Sequence, residues 1–429
     1  MGQALAEVIT KATGAPQGPY IHGPGGLFGV RGLEQDIIST ATQITGSFGE
    51  MLPIKASSDT NPLFPYITGF IRSDGQEKNG ICDTPEEAGN FKTCIQTTIF
   101  GRKEFKTREF EVNSIGQRIN RGEFMDLRLA NPQLVNAMGG LMKNFFHLND
   151  QNAALAGNEV FMRVIEVAVA FQRWYCPTVY TGNPANNSAG GGYKEFPGLD
   201  ILISTGKVDA MAGTTCPSLD SDIKSFGYRD ISSTADPDIH RVLSTMMYIL
   251  ETRAMQNNLS PVEFAIVMRP QLFWELTRVW PLQYNTDRTG LTPAGLDNLY
   301  LEMVRMRDAM RAGSYITINA KNYQVIQDGC IMEENQSVNG NIPIGGFASD
   351  IYIVPLTCRG GTLQTMYWEY KDYSQDVLPQ LQGLPLWFWS DGGAFLWSMK
   401  SPVNWCVDLI AKTEPRLILR TPQLAGRIT

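Results

Sequence analysis

Apolar residues recur at helical spacing between Phe161 and Tyr175. Phe161, Val164, Ile165, Ala168, Phe171 and Tyr175 form one stripe, with Val160, Val167 and Trp174 widening it. Arg163, Glu166, Gln172 and Arg173 fall on the other side. That spacing gives a helix one apolar flank. Asp150 can start the helix, because its carboxylate accepts a free first-turn N–H. Pro177 is expected to stop it, because the ring has no N–H and clashes with the preceding turn. The pattern predicts one long helix over 149–177, with about 26 residues between the two signals spanning roughly 39 Å.

The same patterning divides the rest of the chain. Residues 1 to 60 are rich in Gly and Pro from Gly14 to Gly32, which predicts an extended arm with short helices over 4–11 and 33–44. FPYITGFIR, from Phe64, has the β-branched and aromatic character of a strand, and the polar segment 73–90 after it is full of turn residues. TCIQTTIF and KEFKTREFEV then predict two strands joined in a hairpin around Gly101-Arg102. Thr93, Ile95, Thr97 and Ile99 alternate with Cys94, Gln96, Thr98 and Phe100, so neither face is apolar enough to anchor a core. Such a hairpin is expected to project and lie on another surface. Its basic residues Arg102, Lys103, Lys106 and Arg108 are the candidate contacts to an acidic neighbour.

Further along, Leu134, Val135, Met138, Leu141, Met142 and Phe145 line a short helix that Asn131-Pro132 begins. Asp236-Pro237 opens another helix to Met255, with Ile239, Val242, Leu243, Met246 and Leu250 on one face. EFAIVMRP follows as a strand, QLFWELTRVWP as a helix, and residues 291–312 as a further helix. IYIVPL and TLQTMYWEYKDY are strand-like. The final segment from Trp405 reads as strand, turn at Glu414-Pro415, strand. The fold class read from this order is α+β.

Composition changes the picture in one respect. Only 18% of the 429 residues are charged, against a hydrophobic content of 43%. A globular chain is usually about a quarter charged. A chain that buries much of its surface against copies of itself would show this deficit. The net charge of −7 disfavours free DNA binding, which calls for a basic surface. Seven cysteines with no CxxC pair argue against a disulfide scaffold or a zinc cluster and for a reducing compartment. Cys82 and Cys94 share one segment and form a candidate pair. The N-terminus lacks the basic and apolar parts of a signal peptide, and no apolar run reaches the ~18 residues of a membrane span.

The search for chemistry yields no catalytic, cofactor or metal residues. His22, His147 and His240 have no paired spacing, and no GxSxG occurs. Gly23 and Gly25 lack a third glycine at Phe28, and Gly206-Lys207 lacks the rest of a P-loop.

The order of elements is the more informative feature: a Gly/Pro arm, a polar-faced hairpin, one long helix, a helix–strand–MRP–helix run, and terminal strands. It resembles the tailed-bacteriophage major capsid protein, whose fold encapsulins share. The segment from Asp236 to Pro281 resembles that family's axial-domain run. FASDIYIVPL with MYWEYKDY is similar to its later strands, and LILRTPQLAGRI to the closing strand that returns to the peripheral domain. The resemblance implies an N-terminal arm over 1–60 and an extended loop over 61–128. It implies a peripheral domain over 129–221 with a spine helix over 149–177, an axial domain over 222–365, and C-terminal peripheral strands over 366–429. It also implies a non-enzymatic subunit that assembles with itself as hexamers and pentamers into an icosahedral virion shell around double-stranded DNA, formed in the host cytoplasm. The implied partners are a separate scaffolding protein, a portal and a decoration protein, with no membrane and no cofactors. An encapsulin-like compartment shell and an α/β enzyme with an unrecognised site are the alternatives.

Overall fold

The computed structural model describes residues 47–57, 62–72, 89–107, 110–111, 166–167, 170–171, 173–188, 194–228, 230–232, 237–289, 296–337, 340–342, 344, 347–372, 387–390, 395–399, 406–407 and 409–429. Two compact units divide the chain. The larger takes 44–102, 173–371 and 414–429, and the smaller takes 1–43, 103–172 and 372–413.

The larger unit is organised by a mixed sheet. Its strands run in the order Asp222–Lys224, Gly426–Ile428, Ile351–Cys358, Glu263–Met268, Lys321–Gln327, Tyr315–Ile318, with Leu363–Gln364 added beside Ile351–Cys358. Period-2 alternation assigns each side chain to one of two cores. Phe264, Ile266 and Met268 join Ile351 and Ile353 in one apolar cluster, while Ala265 and Val267 join Tyr352 and Val354 in the other. A sheet covered on both faces explains why EFAIVM reads as a continuous apolar run.

The helices Ile239–Gln256, Pro270–Thr289 and Leu296–Gly313 supply residues to the first cluster. Ile239, Leu243, Met246 and Leu250 are buried there, as their spacing predicts. The cap is Asp238, whose carboxylate accepts the Arg241 N–H at 2.8 Å, so this helix starts inside the expected Asp236-Pro237 boundary. The helix Pro270–Thr289 runs through Pro281, where the sequence reading ends it. Trp280 is fully buried with its indole N–H on the Thr317 carbonyl at 3.0 Å, and Gln283 donates to the Ile231 carbonyl. These anchors on both sides outweigh the ~3 kcal/mol that an interior proline costs.

Pro177 is a second such correction. Residues 173–181 are helical, so the helix continues past the proline, and residues 149–165 lie outside the described set. The Pro177 ring is exposed. Val179 and Tyr180 beyond it are buried, and the Thr178 hydroxyl donates to the Trp174 carbonyl at 2.6 Å. The turn ends instead where Gly182 N–H bonds to the Thr178 carbonyl.

A three-stranded sheet flanks the second cluster, with Ile54–Ser57 parallel to Met366–Lys371 and Pro415–Leu419 antiparallel to it. Arg416 is wholly buried there, bonded to Glu369 and stacked 3.9 Å over the Phe100 ring. The closing strand Gly426–Ile428 lies second in the central sheet, antiparallel to Ile351–Cys358 and parallel to Asp222–Lys224, with Gly426 and Ile428 buried and Arg427 between them.

In the smaller unit, Trp387–Ser390, Phe395–Met399, Leu409–Thr413 and Lys103–Lys106 form an antiparallel sheet in that order. Phe110–Glu111 pairs with Cys406–Val407. Val167 and Phe171 of the long apolar stripe are buried, and the Phe171 ring meets Phe105 edge-on at 4.8 Å.

Candidate assembly surface

The hairpin exists, with a different partner from the one expected. Gly89–Thr97 pairs antiparallel with Leu63–Arg72, and Lys103–Lys106 pairs with Leu409–Thr413. Gly101-Arg102 is therefore not a hairpin turn. A two-residue turn of the favoured kind needs left-handed backbone, and Gly101 does not have it. Glycine is required there for another reason. Its N–H bonds to the Pro415 carbonyl at 2.9 Å, and a Cβ would stand 2.9 Å from the Lys194 carbonyl and from the Phe196 ring.

Alternation gives the true hairpin two unlike faces. Tyr66, opposite Cys94, turns inward onto a small cluster with Cys216 and Leu219. Phe64, on the same face, carries the Arg420 guanidinium over its ring at 4.7 Å. Leu63, Pro65 and Ile67 point the other way. Leu63 is 51% exposed, Ile67 68% and Phe91 65%. A bulge between Ile67 and Gly69 shifts the register, and Phe91 stays on the outer side because the partner strand keeps its alternation.

The inner face is fastened in two ways. Cys94 and Cys216 form a disulfide across 122 residues, which overturns the expectation of reduced thiols and of a Cys82–Cys94 pair. A second disulfide joins Cys176 to Cys330, and Cys358 is a buried free thiol. The pairings leave no trace in the spacing because the partners lie 122 and 154 residues apart and meet only in the folded chain. The backbone edge is also fastened. Asp209 accepts the Ile95 N–H at 2.7 Å and the Met211 and Ala212 N–H groups at 2.8 and 2.6 Å. Ala210 N–H returns a bond to the Ile95 carbonyl, and the Gln96 amide donates to the Val208 carbonyl. The bonds from Ala212 and Ile95 hold the Asp209 carboxyl below the usual carboxylate range.

The described basic residues differ in their surroundings. Arg102 is exposed and bonds Glu414 at 2.6 Å. Lys103 lies half-buried with its ammonium 5.4 Å from the Phe105 ring centroid, and Lys106 is exposed on the same strand. Arg108 lies outside the described residues.

No family model and no curated protein matches the chain. Solved structures do. The capsid asymmetric unit of cyanophage A-1(L) aligns over 93% of this chain and 96% of its own, at 10% identity and a TM-score of 0.50. The capsid of a native GTA particle aligns over 97% of each at 10% identity and a TM-score of 0.48. The SrpI encapsulin from Synechococcus elongatus aligns over 92% of this chain and 91% of its own at 8% identity and a TM-score of 0.41. With nearly the whole chain matched to a phage capsid subunit, this protein has the tailed-bacteriophage capsid fold, which encapsulins share.

Proposed function

We propose that the chain is a major capsid protein, a structural subunit that assembles with copies of itself as hexamers and pentamers into an icosahedral shell. The observation that carries the reading is the match of 93% of this chain to 96% of a phage capsid subunit. Physical features support it. The hairpin holds one face to its own subunit and leaves Leu63, Ile67 and Phe91 outward. Exposed apolar side chains in a row mark a surface that another molecule covers. A second copy is the natural occupant of such a strip in a chain so poor in charge.

The finer reading follows from the same proposal. The shell would enclose double-stranded DNA in a virion without sequence-specific binding, after assembly in the host cytoplasm with a scaffolding protein, a portal and a decoration protein. In this reading the arm over 1–60, the loop over 61–128 and the peripheral and axial domains would have the roles that the resemblance implies. Arg102, Lys103, Lys106 and Arg108 would contact an acidic neighbour, Arg102 with whatever its bond to Glu414 leaves over. Sedimentation of the purified chain with scaffold should show megadalton particles, seen as closed shells by negative stain. A chain that stays monomeric at high concentration with scaffold present defeats the reading.

A further inference from the structure

A cavity of about 460 Å³ opens beside the base of the hairpin, lined by Lys55, Thr357, Thr362, Gln364, Tyr367 and Arg420 among others. Its lining holds two cations and no carboxylate. That is unusual ground in a chain of net charge −7. Each cation is set on an aromatic face. Lys55 Nζ stands 3.8 Å above the Tyr367 ring, and the Arg420 guanidinium lies 4.7 Å from the Phe64 centroid. Ring faces attract and orient a cation without neutralising it. Among the described residues no ion pair reaches either group. Glu263, which accepts the Thr357 hydroxyl at 3.0 Å, is outside the lining.

The surroundings favour an anion. Tyr66, beside Arg420, has its phenol pushed up to about 12 by burial, so it stays a neutral hydroxyl. Arg359, Gly360 and Gly361 take three successive left-handed conformations, with φ of 51°, 64° and 88°. At Gly361 nothing lies within 4 Å of where a Cβ would stand, so the wall stays open there. A guanidinium fork beside an ammonium matches an oxyanion with two or more oxygens, and a partly desolvated site strengthens both bonds.

We propose that this cavity binds a phosphate-class oxyanion, held between Lys55 and Arg420. Its volume leaves room for the anion to arrive free or on a larger carrier. The site does not depend on the shell reading, so the two can fail separately.

The test is calorimetric titration of the full chain with inorganic phosphate in a buffer free of other oxyanions. One saturable site per chain is expected. Lys55 is exposed, so K55Q should fold normally, and losing one charge-assisted bond should weaken phosphate by ~10-fold. K55R should stay within a few-fold of the native chain, and K55Q/R420Q should abolish the site. A short oligothymidylate distinguishes the sources. Tighter binding than free phosphate, lost in the same double variant, identifies a phosphodiester. Equal or weaker binding identifies the free ion. Absence of saturable heat at millimolar phosphate overturns the proposal, as does a K55Q chain that melts like the native one and binds phosphate unchanged.

Discussion

Two antiparallel strand pairs in the larger unit are held by opposite means. Glu263–Met268 and Ile351–Cys358 pair in the middle of a sheet, and five of the six residues of the first strand are buried. Their buried side chains alternate between two apolar clusters, one on each face of the sheet. Leu63–Arg72 and Gly89–Thr97 pair with each other, and Cys94 is the one buried residue of the second strand. One face is fastened by a disulfide, a carboxylate and an aromatic ring, and the other carries the exposed side chains of Leu63, Ile67 and Phe91. Burial makes the first pair part of the folding core. Point attachments make the second a posed element, whose stability can be changed without touching the core.

The largest effect should come from the first pair. Ile266 is fully buried in the centre of the sheet. Ile266→Ala should cost about 2–5 kcal/mol through lost burial and the cavity left behind. Denaturant unfolding should show it as a lower midpoint, with hydrogen exchange faster throughout the larger unit. A loss below about 1 kcal/mol would mean that the sheet relaxes around the gap and is no more tightly packed than the hairpin.

Removing the Cys94–Cys216 bridge should come next. Bridges closing long loops typically contribute about 2–4 kcal/mol. In the Cys94→Ser, Cys216→Ser chain, or under reductant, the loss should be local. Amides of 89–97 should exchange faster while those of 263–268 keep their protection. Equal acceleration of both would erase the distinction drawn between the pairs.

Acid should reach the hairpin before the sheet. Asp209 titrates below its ordinary value because backbone N–H groups of Ala212 and Ile95 bind its charged form. Its contribution is therefore fully present above the unfolded value of about 3.9 and is lost as pH falls through the lower folded value. Melting curves between pH 5 and pH 2.5 should fall more steeply for the native chain than for Asp209→Asn. Parallel curves would show that the carboxylate does not anchor the strand.

The same contrast explains what the sequence made legible. The helix–strand–helix run from Ile239 to Thr289 could be read because its apolar period is local and each burial is decided within a few residues. The strands of the hairpin could be read too, from Phe64, Tyr66 and Ile67 and from the alternation after Thr93. Their pairing could not, since β-propensity marks a strand without choosing its partner. Gly101-Arg102 reads as a hairpin turn and Glu414-Pro415 as a turn between strands, yet each lies where the chain changes unit, at 102/103 and 413/414. Turn-forming residues mark a change of direction, and only left-handed backbone would have marked a return. Pro177 and Pro281 misled for a related reason: tertiary anchors such as Tyr180 and Trp280 override a local penalty. The sulfur pairs left no local trace at all.

The smallest effect on stability should come from the outward strip, and it bears most directly on assembly. Ile67 and Phe91 already stand mostly in water, so replacing them with Ser removes little burial. Ile67→Ser and Phe91→Ser should each shift unfolding by no more than about 0.5 kcal/mol, as exposed substitutions usually do. If a second copy covers the strip, the same changes place a hydroxyl where an apolar contact forms. Each should then lower particle yield and raise the concentration needed for assembly, and the double variant should do so more strongly. The free subunit, measured alone, should melt like the native chain. A double variant that assembles at the native threshold would show that the strip faces solvent in the shell. The hairpin would then contact its neighbours through its edges, and its exposed apolar side chains would need another occupant.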